Sequence, residues 1–329
     1  MSEQRVVSKS EAGQRLDQLL ATWLPGTSRS RVQQWLRSGM VQVDGVPGKR
    51  ASERMKADQS VTWEQPARPE PRDTEGARVV KLDVLYTDDE LIVVNKTAGL
   101  LSHRNQLDQA DSVVELASER FGPLPEPERP DPSAPGRAGL VHRLDRGTSG
   151  VMLLARTPEA LKHLQRQFSE RTVTKRYRAL VHRSPRFDSE TVDAPIEVDP
   201  RHPDRRRVAR LDDEGELGNA RPALTRVDVV ARYREAASLT CLPKTGRTHQ
   251  IRVHLLHLGL PLIGDRSYRW PGALPDPLEE DAPVPMRPAL HAASIACIHP
   301  GNGAEVSFSA PMPPDLLRLE AWLAERRSL

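Results

Sequence analysis

The chain has 329 residues and is 37% hydrophobic, enough for about two domains and a sizeable buried core. Lysine and arginine total 48 against 45 acids, so overall charge does not demand a polyanionic partner, although arginines cluster locally. Cys241 and Cys297 are isolated, no stretch is apolar enough to span a membrane, and MSEQRVVSKS lacks the apolar segment of a secretion signal. These features exclude a disulfide scaffold and a Cys-based zinc site, and the expectation is a soluble, cytoplasmic, monomeric protein with no membrane contact.

The first elements are helical. RLDQLLATWL places Leu16, Leu19, Leu20 and Trp23 at helical spacing, and Pro25-Gly26 ends the run. TSRSRVQQWLRSG opens on capping-type Thr27 and Ser28, presents Val32, Trp35 and Leu36 as an apolar face, and closes at Gly39. MVQVDGVPG alternates toward a turn at Asp44-Gly45, as a hairpin does, and SVTWEQ reads as a closing strand. Arg15, Arg29, Arg31, Arg37, Lys49 and Arg50 are either a solvated face or a set of phosphate contacts. The order of these elements resembles the small RNA-binding S-four domain, over about residues 13 to 63.

EQPARPEPRDTEGA, Pro-rich and aperiodic, reads as an extended linker over 64–78. The larger body at 79–325 is rich in strands: LDVLYTDDELIVVNKTAGL holds two, and VMLLA, KRYRALV, ALTRVDVVARY and SLTCLP hold one each. Helices are expected at PEALKHLQRQFSE and THQIRVHLLHLG. A second Pro-rich stretch, 122–136, is a surface insertion within this body. Strand runs with a few helices between them predict an α+β domain on a mostly antiparallel sheet.

Three motifs carry candidate chemistry. GLVHRLDRGTSG sets His142, Arg143 and Asp145 directly before an apolar strand, as a functional loop or a capped turn would. A triad with Ser149 is disfavoured by the close spacing, and GTSG lacks the Lys-Ser/Thr ending of a phosphate loop. In TGRTHQIRVHLLHLG, His254 and His257 share a helix face but have no evident third zinc ligand, whereas Arg247, His249 and Arg252 gather at the helix start, where phosphates are well received. Tyr177, flanked by Lys175, Arg176 and Arg178, offers either a stacking ring for a base or a core contact. Arg201, Arg205, Arg206, Arg207 and Arg210 form a further run that meets phosphates or stays solvated.

Taken in order, NKTAGL, HRLDRGTSG, KRYRALV and TGRTHQIRVHL, followed by LIGDRSY and RPALHA, resemble the RluA/RluC/RluD family of pseudouridine synthases over nearly all of residues 79–315. The S-four-like piece is similar to the first domain of its two-domain members. The resemblance implies an α+β chain in which a small S-four-type RNA-binding domain precedes a catalytic domain built on a mostly antiparallel mixed sheet. It also implies isomerisation of uridine in RNA without cofactor or metal. Large-subunit ribosomal RNA is the expected substrate, with transfer RNA second. On this resemblance Asp145 is the catalytic carboxylate, Tyr177 the active-site tyrosine and Arg252 the partner of the aspartate. Arg143 helps open the RNA stack, and His142, Arg247, His249, Arg29, Arg31 and Arg37 are further RNA-binding candidates. Thr97 stands where the family usually has proline, which affects a turn and not the chemistry. A catalytically silent RNA-binding or ribosome-assembly factor and a nucleotide hydrolase are the competing readings. Intact Asp145, Tyr177 and Arg252 weigh against the first, and the missing phosphate loop weighs against the second.

Overall fold

The computed structural model describes residues 2–24, 32, 35–36, 39–48, 50–64, 81–104, 111–128, 136–210, 217–269 and 278–326. They fall into two compact units, one up to residue 64 and one from residue 81.

In the first unit, helix α1 (Leu16–Trp23) buries Leu16, Leu19 and Leu20, as its spacing predicts. Val32, Trp35 and Leu36 are helical and buried in the same core. The four-stranded sheet runs β1 (Ser2–Val6), β4 (Ser60–Glu64), β2 (Val41–Val43), β3 (Val46–Pro47). Asp44 and Gly45 both have positive φ, 52° and 75°, the requirement of a two-residue hairpin turn whose twist matches its strands. Strand β1 precedes the expected start at 13 and pairs along its whole length with β4. Arg15 forks onto the fully buried Asp17, at 3.0 and 3.1 Å, so that arginine serves the fold. Lys49 and residues 65–80, which include most of the expected linker, lie outside the described residues.

The second unit is built on a nine-stranded sheet. Its strands are β5 (Val84–Thr87), β6 (Leu91–Lys96), β7 (Ser149–Ala155), β8 (Thr174–His182), β9 (Ser189–Asp193), β12 (Leu224–Tyr233), β13 (Ala236–Pro243), β14 (Leu290–Ile298) and β15 (Glu305–Ser309). The order is β5-β6-β7-β14-β8-β13-β12-β9, with β15 on β14. Every pairing in it is antiparallel except that of β7 with β14. A two-stranded ribbon, β10 (Ile196–Val198) with β11 (Arg206–Val208), carries part of the arginine run.

Alternation along the strands feeds two faces. Ile92, Val94, Met152 and Leu154 pack under α2 (Val113–Phe121), while Leu91, Val93, Val151 and Leu153 pack under α3 (Pro158–Glu170). Farther along the sheet, Ala179, Leu239 and Cys241 meet α4 (Gln250–His257), and Leu180, Tyr233 and Ala236 meet α5 (Pro314–Arg326). Helix α3 starts where Thr157 caps the Ala160 amide at 3.1 Å, with Pro158 in the first turn. Helices α2 and α5 and strand β14 have no counterpart in the sequence reading.

Candidate active site

The site lies at the middle of the large sheet, where β7 begins beside β14 and Tyr177 on β8 stands opposite Ala292 of β14 and Cys241 of β13. The HRLDRGTS loop enters β7 here and is held residue by residue. Leu144 uses both its N–H and its carbonyl on the Ser102 hydroxyl, at 3.0 and 2.8 Å. The Asp145 carbonyl accepts the Thr148 amide at 3.0 Å, and the Arg146 carbonyl accepts the Gly99 amide at 2.8 Å. Arg287 donates to the Gly147 carbonyl at 3.3 Å while its other nitrogens fork onto Asp315 of α5 at 2.7 and 2.9 Å. Gly150 closes the segment with φ 117°, and a Cβ there would sit 2.2 Å from the Ala292 carbonyl oxygen, so only glycine admits this approach.

Lys96, at the end of β6, is fully buried and gives its ammonium to the carbonyls of Thr97, Leu100 and Arg146, at 3.1, 2.8 and 3.3 Å. Burial pushes its pKa down to about 7, against the attraction of Asp145. It ties the NKTAGL turn to the back of the Asp145 loop. Thr97, exposed in place of the family's proline, supplies one of those carbonyls.

A cavity of about 430 Å³ opens over this loop. Asp145, Tyr177, Arg252, Arg143, Arg247, His249 and His142 all line it, together with Arg171, Lys175 and Lys244. The Asp145 side chain is 21% exposed, and Arg252 reaches it through Nη1 at 3.5 Å. Most of the Arg252 guanidinium is engaged elsewhere: Nε and Nη2 fork onto Asp265 at 2.7 and 2.9 Å. Burial works against this charge, and the Asp265 hydrogen bonds with the two carboxylates more than restore it, so the Arg252 pKa is raised. The guanidinium also lies 4.6 Å from the centre of the Tyr268 ring. Arg252 thus meets Asp145, the partner expected for it, through one nitrogen only, and Asp265 takes its fork. Asp265 and Tyr268 stood in the quoted LIGDRSY stretch, but nothing in the sequence tied that stretch to Arg252.

Burial raises the Tyr177 pKa, and Asp145 adds to the effect, so the phenol stays protonated beside the carboxylate. Burial lowers the Lys175 pKa to about 8, with Lys244 adding repulsion, and its ammonium donates to the Thr245 carbonyl at 3.2 Å. The TGRTHQ turn is fixed by Gln250, which accepts from the Arg247 amide at 2.9 Å and donates to Leu224 and Thr225 on β12. His249, at φ 59°, contacts the Tyr268 hydroxyl through Nδ1 at 2.7 Å, and burial lowers its pKa.

His142, an RNA-binding candidate, lines the cavity and is held by the fold. Its Nε2 accepts the Leu153 amide at 2.9 Å, its ring stacks on Phe168 at 4.9 Å, and burial lowers its pKa to about 3. A neutral, packed imidazole offers a phosphate no charge. Ser149 and His254 are structural as well. Ser149 Oγ meets His291, and both ring nitrogens of His254 are taken, by Thr225 and the Ala194 carbonyl. Arg29, Arg31 and Arg37 lie outside the described residues. Of the arginine run, Arg207 pairs with Glu197 at 2.7 Å and Arg206 donates its backbone N–H to Tyr268 at 2.8 Å.

Comparison with known proteins gives a consistent set. Residues 90–257 match the family described as RNA pseudouridylate synthase, and residues 14–61 match the S-four domain. Proteins named ribosomal large subunit pseudouridine synthase D are similar over almost their full length. The one from Xylella fastidiosa is 38% identical, covering 100% of this chain and 94% of its own. That from Xanthomonas campestris pv. campestris is 37% identical over 98% and 92%. That from Nitrosomonas europaea is 36% identical over 94% and 84%. Among solved structures, human RNA pseudouridylate synthase domain containing 4 superposes with a TM-score of 0.55 at 29% identity, covering 72% of this chain and 93% of its own. Human RNA pseudouridylate synthase domain containing 1 gives the same TM-score at 26% identity, over 73% and 86%.

Proposed function

The chain belongs to the RNA pseudouridylate synthase family, and from that membership we propose that it converts uridine to pseudouridine in large-subunit ribosomal RNA, with Asp145 as the catalytic carboxylate. The ribosomal substrate rests on the names of its relatives, and its work is then done in the cytoplasm. The observation that carries the chemistry is Asp145, the one carboxylate among the described residues that line the cavity, which it shares with Tyr177 and several arginines and lysines.

The reaction breaks the bond between a uracil nitrogen and the sugar, turns the base, and joins the same sugar carbon to carbon five. Carbon five then gives up its proton, and the nitrogen freed from the sugar ends with one in its place. Atoms balance without an oxidant, a reductant or a leaving group. A carboxylate serves such a centre in two ways, by attack on the anomeric carbon or by taking the proton of the neighbouring sugar carbon, and both pass through an oxocarbenium-like state. Arg252 places positive charge 3.5 Å from the Asp145 carboxylate.

A uridine stacked in RNA has to leave the stack first, at a cost of a few kcal/mol. Arg143, exposed on the cavity wall, is suited to fill the space it vacates, and Tyr177 presents its ring to the extruded base. Arg247, Arg171 and Lys244 offer charge to the flanking phosphates, which makes binding salt-dependent.

The test is tritium release from carbon five of uridine in large-subunit ribosomal RNA, together with pseudouridine mapping of total RNA from cells with and without the protein. Release by the purified protein and mapped sites that vanish without it are the expected results. Sites lost from transfer RNA alone would move the substrate assignment, and no release at all would overturn the function.

A further inference from the structure

Two carboxylates face one guanidinium in this site, and they hold it unequally. Asp265 takes Nε and Nη2 at 2.7 and 2.9 Å, and Asp145 is left with Nη1 at 3.5 Å. We propose that Asp265 is a positioning residue for the reaction: it restrains Arg252 so that the arginine lends charge to Asp145 without closing a fork on it. The inference rests on Asp145 being the catalytic carboxylate.

An arginine opposite a carboxylate closes into two short parallel hydrogen bonds when nothing prevents it. Such a fork would engage one lone pair on each oxygen of Asp145, locking the carboxylate's orientation and drawing off its electron density, so that it meets a sugar carbon or its proton less readily. Asp265 is built to prevent this. Its side chain is only 1% exposed, and Oδ1 also accepts the amides of Ser267 and Tyr268 at 2.9 and 3.2 Å, so the carboxylate cannot turn. The residue before it, Gly264, has φ 76° and packs so closely that a Cβ would lie 2.3 Å from the Arg287 carbonyl oxygen, which fixes where Asp265 starts. On another side the Tyr268 ring supports the guanidinium, and its hydroxyl is held between His249 Nδ1 and the Arg206 amide, at 2.7 and 2.8 Å. Arg252 is therefore held from two directions by Asp265 and Tyr268, neither of which lines the cavity.

The experiment measures tritium release from uridine-labelled large-subunit ribosomal RNA by the full chain, comparing wild type, Asp265→Asn, Arg252→Lys and the double variant. Asp265→Asn is expected to lower kcat by about 30-fold or more and to leave KM within about threefold, because geometry at the reacting atoms changes while RNA contacts do not. In the Arg252→Lys background, where there is no fork to hold, Asp265→Asn should change kcat by less than about threefold. Wild-type kcat in Asp265→Asn, or the same loss in both backgrounds, overturns the inference and leaves the assigned activity standing. If Asp265→Asn does not fold by thermal melting, Asp265→Glu decides, since it keeps the charge and displaces the fork by one methylene. A lowered kcat at unchanged KM in that variant supports the inference, and a wild-type kcat overturns it. No release by the wild-type protein overturns the activity and this inference together.

Discussion

In its proposed role Asp145 needs an oxygen free to meet the sugar, and Arg252 stands beside it through one nitrogen at 3.5 Å and no fork. Asp145→Asn keeps the shape and removes the reacting oxygen, so turnover should fall by roughly a thousandfold or more with RNA affinity within several-fold of wild type. Single-turnover release and filter binding on one RNA separate the two quantities, and appreciable turnover by the amide would remove Asp145 from its role. His142 behaves oppositely: its value to the protein is to stay neutral. Its pKa falls from an ordinary 6.5 to about 3 by burial, so the unfolded chain binds a proton that the fold excludes. Stability is therefore full above about pH 6.5 and is lost as the pH falls through that window. His142→Gln, whose amide oxygen can still accept the Leu153 amide, should flatten the dependence by about one proton between pH 4 and 6 in urea titrations. An unchanged slope would show that the proton is excluded elsewhere. Asp145, Tyr177 and Arg252 were named from motifs that resemble a known family, and the structure brings all three to one cavity. Asp265 and Lys96 were on view in quoted motifs too, but a sequence displays residue types and not pairings. What ties them to the site is a partner 13 residues away for one and a carbonyl 50 residues away for the other.

Elements were legible where periodicity was strong. Helix α3 carries Ala160, Leu161 and Leu164 on one face, with a cap and a proline at its start, and it falls where its pattern predicts. Strand β14, LHAASIACI, is rich in small residues with weak strand preference, and it is buried by neighbours that no local pattern reveals. Its pairing with β7 is short, His291 with Ser149 and Ala292 with Gly150, yet it frames the Asp145 loop. Gly150→Ala would drive a Cβ into the Ala292 carbonyl at a φ that alanine rarely adopts. We expect a loss of about 3 kcal/mol or more in denaturant unfolding, with kcat reduced because the loop before it shifts. A fully stable, fully active alanine variant would mean that β7 and β14 can separate at no cost to the site.

At the scale of the whole molecule, the two units have separate cores, and the chain between them is rich in proline. Removing residues 1–75 should weaken RNA binding and make its salt dependence shallower, while much of the turnover returns at saturating RNA. Rates across RNA and salt concentrations for folded full-length and shortened proteins test this, and a shortened protein inactive at saturation would give the first unit a part in forming the site. Two units were legible from composition and turn residues, whereas the strand order of the larger sheet was not, since it depends on contacts across more than a hundred residues. That order has a consequence in time. Strands β5, β6 and β7 form one side of the sheet and β8, β13, β12 and β9 the other, and β14 stands between them although it is made later than all seven. The two halves can be joined through this strand only after residues 290–298 have been made, and Arg287 just before it reaches the loop of Asp145. A chain stopped before residue 290 would hold every residue expected to do chemistry without the strand that joins Asp145's half of the sheet to Tyr177's, so it is expected to be inactive.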